Sequence, residues 1–98
     1  MSVNQILSAL ADDTRRAILL KLRQGRMNSG ELAEYLHITP QALSYHLNKL
    51  KKADLIVEEK YKNFIYFELN LSVLGELMVW LDSLKDGKNP KGGKDNEN

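Results

Sequence analysis

The stretch Ile38–Ile56, ITPQALSYHLNKLKKADLI, carries the clearest structural signal in this chain of 98 residues. Thr39 is a favourable N-cap, and Pro40 follows at the first helical position, where a missing N–H costs nothing. The sequence therefore predicts a helix from Pro40 to about Lys52. At 100° per residue, its apolar positions form one stripe that faces a core: Leu43, Leu47 and Leu50.

The opposite side of this helix carries side chains suited to DNA. Counted from Leu43 at 0°, four of them point between about 140° and 200°: Gln41, Tyr45, Asn48 and Lys52. Ser44 and Lys49 flank that direction. Gln pairs with adenine, Ser and Asn serve several bases, and Lys neutralises phosphates. Ala42, at the helix N-terminus, can pack on a thymine methyl group. Taken singly, Gln41 and Asn48 also fit ordinary solvent-facing positions, but the exposed Tyr45 and the lysines favour DNA.

Three basic residues leave alternatives open. His46 lies at about 300°, beside the apolar stripe, so it either packs against the protein or contacts DNA. We include it with Thr39 and Pro40 among the candidate DNA-binding residues of this helix. Arg15 and Arg16 follow two acidic residues, so pairing within the chain and contact with DNA are equally good explanations.

Three shorter helices are predicted upstream. Apolar residues at Val3, Ile6, Leu7 and Leu10 have helical spacing. A second helix begins after an N-cap at Asp12 or Asp13 and is closed by Gly25. A third begins at Asn28–Glu31, NSGE, which has the spacing of a capping box. Its tight turn at His37 and Ile38 leads into the helix described first.

Downstream, the apolar period changes from 3.6 to 2. Residues 55–70, LIVEEKYKNFIYFELN, predict a hairpin with strands near 55–60 and 64–69, turning at Lys62 and Asn63. Its basic tip supplies the candidate backbone contacts Lys60, Lys62 and Asn63. A last helix from Leu71 to Leu84 follows, and it has more apolar surface than one small protomer can cover.

The order helix-helix-helix-helix-hairpin-helix is a mainly α fold with a small β-hairpin, and it is typical of a winged helix-turn-helix protein, whose second motif helix enters the major groove. We assign residues 1–85 to one DNA-binding and dimerisation domain. Residues 86–98 hold no aliphatic or aromatic side chain and are predicted to be a disordered polar tail.

Several classes of protein are disfavoured by composition. The chain has no Cys, which removes disulfides, thiolate metal sites and cysteine nucleophiles, and fits a reducing cytoplasm. It has no phosphate-binding glycine loop and no recognisable catalytic triad, so we expect no enzyme. Its longest strongly apolar run, LMVWL, is far too short to span a bilayer, so we expect a cytoplasmic protein without a membrane partner.

The region from residue 6 to 70 resembles the ArsR family of bacterial winged-helix repressors. The similarity rests on DDTRRAIL, GELA, SYHLNKLKKADLI and FIYFELN, with the family's spacing kept throughout. The resemblance implies a homodimer that binds an inverted repeat in double-stranded DNA and represses transcription, and the likeness to the family's small autorepressors implies repression of its own gene. The first and last helices would form the dimer interface, through Val3, Ile6, Leu7, Val73, Leu74, Leu77, Trp80, Leu81 and Leu84.

The chain departs from the metal-sensing members of that family. Those members carry Cys in the third helix or Asp and His pairs in the last one, because a transition metal needs several converging ligands. Here the third helix contains ELAEYL and the last helix has no His. We therefore expect no metal and no cofactor. Two alternatives stay open: a winged-helix domain that docks to another protein, and a repressor released by a non-metal ligand or a protein partner.

Overall fold

The computed structural model describes residues 1–86, so the predicted tail lies outside the described residues apart from Asp86. The elements in chain order are α1 (Val3–Leu10), α2 (Asp13–Leu22), β1 (Met27–Asn28), α3 (Ser29–Leu36), α4 (Pro40–Lys52), β2 (Ile56–Tyr61), β3 (Phe64–Leu69) and α5 (Leu71–Asp86). The predicted fold class is confirmed, with one addition: the short strand β1. The last helix ends one residue beyond the predicted domain boundary.

The helix starts follow the capping residues in the sequence. Asp12, rather than Asp13, caps α2, and its side chain accepts a hydrogen bond from the Arg15 N–H. The capping box of α3 is complete, because Asn28 and Glu31 each bond the other's backbone N–H, at 2.8 and 3.0 Å. Gly25 does not close α2, which ends at Leu22 with Arg23 as C-cap.

The wing is a three-stranded antiparallel sheet with the order β1-β3-β2. In the hairpin Ile56 pairs with Leu69 and Tyr61 with Phe64, so Lys62 and Asn63 form the turn as predicted. Strand β1 adds Met27 opposite Phe67. This pairing links the start of α3 to the wing, and it was not predicted because two residues are too few to show a period.

One hydrophobic core lies between the helices and the inner face of the sheet. Its buried members are Ile6, Ala9, Ile18, Leu22, Leu32, Leu43, Leu47, Leu50, Ala53, Leu55, Ile56, Phe67 and Leu77. Ile6 is 0% exposed and Leu77 is 7% exposed within the single chain, so these two candidate dimer residues lie in the core of their own chain. Both point inward because they continue the apolar stripes of α1 and α5. Across residues 1–86, every helix is too short or too polar to cross a membrane.

Candidate DNA interface

A tight turn fixes the angle between α3 and α4. His37 adopts a left-handed conformation with φ of 57°, and its N–H donates to the Glu34 carbonyl. The N–H of Ile38 reaches back to the Ala33 carbonyl at 3.2 Å. Two such bonds around a left-handed residue end a helix abruptly. The next helix can then start at once, with the Thr39 hydroxyl accepting from the Ala42 N–H at 3.1 Å.

The predicted recognition face of α4 is a continuous exposed surface. Its exposed members are Thr39, Pro40, Gln41, Ser44, Tyr45, Asn48, Lys49 and Lys52, and Ala42 is half-buried among them. Tyr45 is the large side chain at its centre and is 57% exposed. The ammonium group of Lys49 lies 5.6 Å from the centre of the Tyr45 ring, which orients both side chains outward. Leu43, Leu47 and Leu50 hold the opposite side of the helix in the core.

The C-terminal lysines of α4 fall into two groups. Lys51 donates to Glu58 of β2 at 2.7 Å, so it ties the recognition helix to the wing. Within residues 1–86, Lys49 and Lys52 form no ion pair with a carboxylate. Their charge is therefore available to phosphates, whereas that of Lys51 is already neutralised.

His46 is held by a buried arginine. The Arg15 side chain is nearly inaccessible, at 8% residue exposure, and its guanidinium bonds the Ala9 and Ser8 carbonyls at 2.8 and 3.2 Å. The same guanidinium lies 3.1 Å from His46 Nδ1. Arginine is always a donor, so His46 Nδ1 is the acceptor in this contact. Of the two alternatives for His46, the structure shows the packed, intramolecular one.

Arg15 therefore connects the end of α1 to the recognition helix. Arg16, its neighbour, lies at the surface, where it pairs with Asp13 and bonds the Leu10 carbonyl. Both arginines have partners within the chain. Asp12 completes the group, since one of its oxygens lies 3.7 Å from His46 Nδ1. The hydrogen bond from the Arg15 backbone N–H is the main cause that lowers the pKa of Asp12; partial burial of the carboxylate opposes this shift, and the charge of the Arg15 guanidinium adds to it.

The tip of the wing carries the second candidate surface. Lys60, Lys62 and Asn63 are all exposed, and Lys62 turns the chain with a positive φ of 56°. The aromatic rings of Tyr61 and Phe64 are also about half exposed beside them. The tip is therefore basic, as the sequence predicted, and it is also aromatic.

Arg26 at the base of the wing was not among the predicted residues. Its guanidinium lies 4.6 Å from the Tyr66 ring centre and 5.3 Å from that of Tyr61, and it pairs with Glu59 at 3.4 Å. It precedes β1 and reaches both strands of the hairpin. No local pattern links residue 26 to residues 59–66, so the sequence alone offered no signal for this contact.

The remaining candidate dimer residues lie on α1 and α5. Leu7 on α1 and Leu81 and Leu84 on α5 are exposed, and Met78 and Val79 are further exposed apolar residues of α5. Val3, Val73, Leu74 and Trp80 are half-buried, and the last three pack against the core of their own chain. Among residues 1–86, no three His, Asp or Glu side chains are grouped so that they could hold a metal ion.

Comparison with known proteins agrees with this geometry. Residues 12–57 match the model of the bacterial regulatory protein, arsR family. The transcriptional repressor SdpR of Bacillus subtilis (strain 168) is 39% identical over 79 residues, which cover 81% of this chain and 88% of that protein. The HTH-type transcriptional regulator Rv2034 of Mycobacterium tuberculosis is 37% identical over 81 residues, covering 83% and 76%.

Solved structures show the same fold. An ArsR-like transcriptional regulator from Rhodococcus sp. RHA1 superposes with a TM-score of 0.80 at 26% identity, covering 89% of this chain and 85% of that one. The fold and the exposed recognition face define a winged helix-turn-helix transcriptional regulator. This chain belongs to the ArsR family, and as a member it is a DNA-binding transcriptional repressor.

Proposed function

We propose that this protein represses transcription as a homodimer that binds an inverted repeat in double-stranded DNA and blocks RNA polymerase, acting on its own promoter. The observation that carries the proposal is the exposed side of α4, where Gln41, Ser44 and Tyr45 stand outward on a helix with a firmly capped start. In helix-turn-helix proteins, this end of the second helix contacts base edges.

Base contacts and backbone contacts divide between two parts of the surface. Gln41, Ala42, Ser44 and Tyr45 would lie in the major groove and discriminate between sequences. Lys49 and Lys52 on α4, with Lys60 and Lys62 on the wing, would bind phosphates and set affinity. The ion pair between Lys51 and Glu58 supports this division, because it fixes the wing relative to the recognition helix.

The dimer is proposed from the apolar side chains of α5 that are exposed within residues 1–86. Leu71, Met78 and Leu84 are each more than 60% exposed, and this much exposed apolar surface on one helix normally marks an interaction surface. A twofold dimer would place two recognition helices about 34 Å apart, one turn of DNA, and so match an inverted repeat. We propose no metal and no enzymatic activity, so release from DNA, if regulated, depends on another kind of signal.

The proposal is tested by fluorescence anisotropy with the full chain. The duplexes are DNA from upstream of the protein's own gene and a scrambled duplex of the same composition, each measured at two salt concentrations. We expect tighter binding to the upstream duplex, and weaker binding of both at the higher salt as bound counterions are displaced. Equal affinity for the two duplexes would contradict autorepression, and binding that ignores salt would contradict the backbone contacts.

A further inference from the structure

A cleft of about 220 Å³ separates α1 from the C-terminal half of the recognition helix. It is lined by Asn4, Gln5, Ser8, Ala9, Lys49, Lys52 and Ala53. The two alanines form its buried floor, and the two lysines and three uncharged polar residues form its rim. The rim therefore offers ammonium, amide and hydroxyl donors, and no carboxylate of residues 1–86 lines it, which is the chemistry of a site for an oxyanion.

The charges around the cleft also favour an anion. The whole of α1, VNQILSAL, contains no acidic residue, and its first turn faces the cleft through Asn4 and Gln5. The N-terminus of a helix carries partial positive charge, which adds to the attraction. Within residues 1–86, neither Lys49 nor Lys52 pairs with a carboxylate.

The cleft lies where one wall of the DNA groove would be. The angles around α4 are counted from Leu43 at 0°, with 100° for each residue. The bases would face the side at about 140° to 200°, whereas Lys49 lies at about 240° and Ala53 at about 280°. A helix inserted in the major groove has phosphates on both flanks, because the groove is only about 12 Å wide. The flank that carries Lys49 would therefore face one phosphate strand, and α1 lies on that flank.

The cleft uses a side of α1 that leaves the helix free to take part in the dimer interface. Asn4, Gln5 and Ser8 fall within about 100° of one another, whereas Val3 and Leu7 lie on the other side of the buried Ile6. The polar side of α1 is thus separate from the apolar side offered to a partner subunit. Both contacts can be made at once.

We infer that this cleft binds a phosphate of the DNA backbone, so that Asn4, Gln5 and Ser8 of α1 belong to the DNA interface together with Lys49 and Lys52. The inference rests on the proposed function and deepens it. It gives α1 a role in binding DNA that the helix-turn-helix motif alone does not imply.

The test compares Gln5→Glu with Gln24→Glu, an exposed residue beyond α2, outside the cleft. Both variants add the same charge to the protein. An acid in the first turn of α1 suits the helix dipole, so Gln5→Glu should fold as well as the wild type. Because the new carboxylate would lie within a Debye length of the phosphate, we expect affinity for cognate and scrambled duplexes to fall about tenfold or more. The ratio between the two duplexes should stay the same.

Two neutral or charge-removing variants sharpen the result. Gln5→Met removes a donor without adding charge, so we expect a smaller loss of affinity with an unchanged salt dependence. Lys49→Met should lower the slope of log K against log salt by about 0.9 for each phosphate that the protein no longer neutralises. If Gln5→Glu binds DNA like Gln24→Glu while the wild type selects its cognate duplex, the cleft assignment is wrong and the proposed function stands. A wild type without any selectivity would instead contradict the proposed function.

A final experiment tests whether the cleft binds a phosphate of the DNA backbone or free inorganic phosphate. Inorganic phosphate replaces chloride at matched ionic strength, and the affinity for DNA is measured again. We expect no change, since one mobile phosphate cannot reproduce the held geometry of a backbone phosphate. Competition by inorganic phosphate in the wild type, absent in Gln5→Glu, would show that free phosphate displaces a DNA phosphate from the cleft, which would also support the inference.

Discussion

Replacing Arg15 with Met tests the link between α1 and the recognition helix. The substitution keeps a long apolar side chain but removes the bonds to the Ala9 carbonyl, the Ser8 carbonyl and His46, at 2.8, 3.2 and 3.1 Å. The control is Arg16→Met, which removes the same charge one residue further on. Arg16 is half exposed, and its ion pair with Asp13 lies at the surface.

The contacts of the two arginines determine how much their substitutions should lower the free energy of unfolding. A hydrogen bond from a charged donor contributes about 1.5 to 3 kcal/mol, and an orphaned buried carbonyl adds to the loss. The Ser8 carbonyl still accepts a hydrogen bond from the Ala11 N–H at 3.2 Å. Removing the Arg15 donor therefore costs less stability at the Ser8 carbonyl than at the Ala9 carbonyl. We therefore expect Arg15→Met to lower the free energy of unfolding by about 2 to 4 kcal/mol. Arg16→Met should lower it by less than about 1 kcal/mol.

Urea unfolding followed by circular dichroism measures both variants. With an m-value of about 2 kcal/mol/M, the midpoint for Arg15→Met should fall by about 1 to 2 M while that for Arg16→Met barely moves. The protein concentration is kept constant, because a dimer's stability depends on it. Equal midpoints for the two variants would refute the account of Arg15 as the buried connection.

Four further predictions concern the recognition helix, the dimer and acid stability. Tyr45→Ala should reduce discrimination between cognate and random duplexes in anisotropy titrations while stability changes little, since the side chain is 57% exposed; equal loss on both duplexes would contradict a base contact. Leu84→Asp should give a monomer in sedimentation analysis, and it is a cleaner test than Trp80→Asp because Trp80 also packs against the core of its own chain. Thr39→Ala should destabilise the protein by about 1 kcal/mol in urea, by removing the N-cap. The pKa of Asp12 is lower in the folded chain than in the unfolded one. The ionised Asp12 carboxylate therefore stabilises the fold above the ordinary carboxyl pKa, and this stabilisation is lost as the pH falls through the pKa of the folded chain. Asp12→Asn should remove that part of the acid transition, and an unchanged acid titration would count against it.

Local signals in the sequence predicted the elements that fix the site. The N-cap at Thr39, the capping box at Asn28–Glu31 and the turn at Lys62 each depend on residues within four positions, so the sequence contains the whole signal. The exposed face of α4 follows from a single helical rotation. These features were predicted correctly because tertiary contacts do not alter them.

Features that depend on distant residues were missed or wrongly placed. Ile6 and Leu7 have the same chemistry, and only the packing of α1 on α2 and α4 decides that Ile6 is fully buried and Leu7 is exposed. The bond from Arg15 to His46 spans 31 positions, and the contact of Arg26 with Glu59 spans 33. Helical periodicity carries no information over such distances, so these partners required the fold.

In the proposed dimer, two copies of α4 recognise bases in an inverted repeat. The most direct measurement is selection of bound sequences from a random DNA library, performed in parallel with the wild type and Gln41→Ala. We expect the wild type to enrich two inverted half-sites spaced by about one helical turn, 10 to 10.5 base pairs. Gln41→Ala should lose preference at one symmetric pair of positions and keep the rest. A wild type that enriches no motif, or a variant that enriches an unchanged one, would contradict base recognition by this helix.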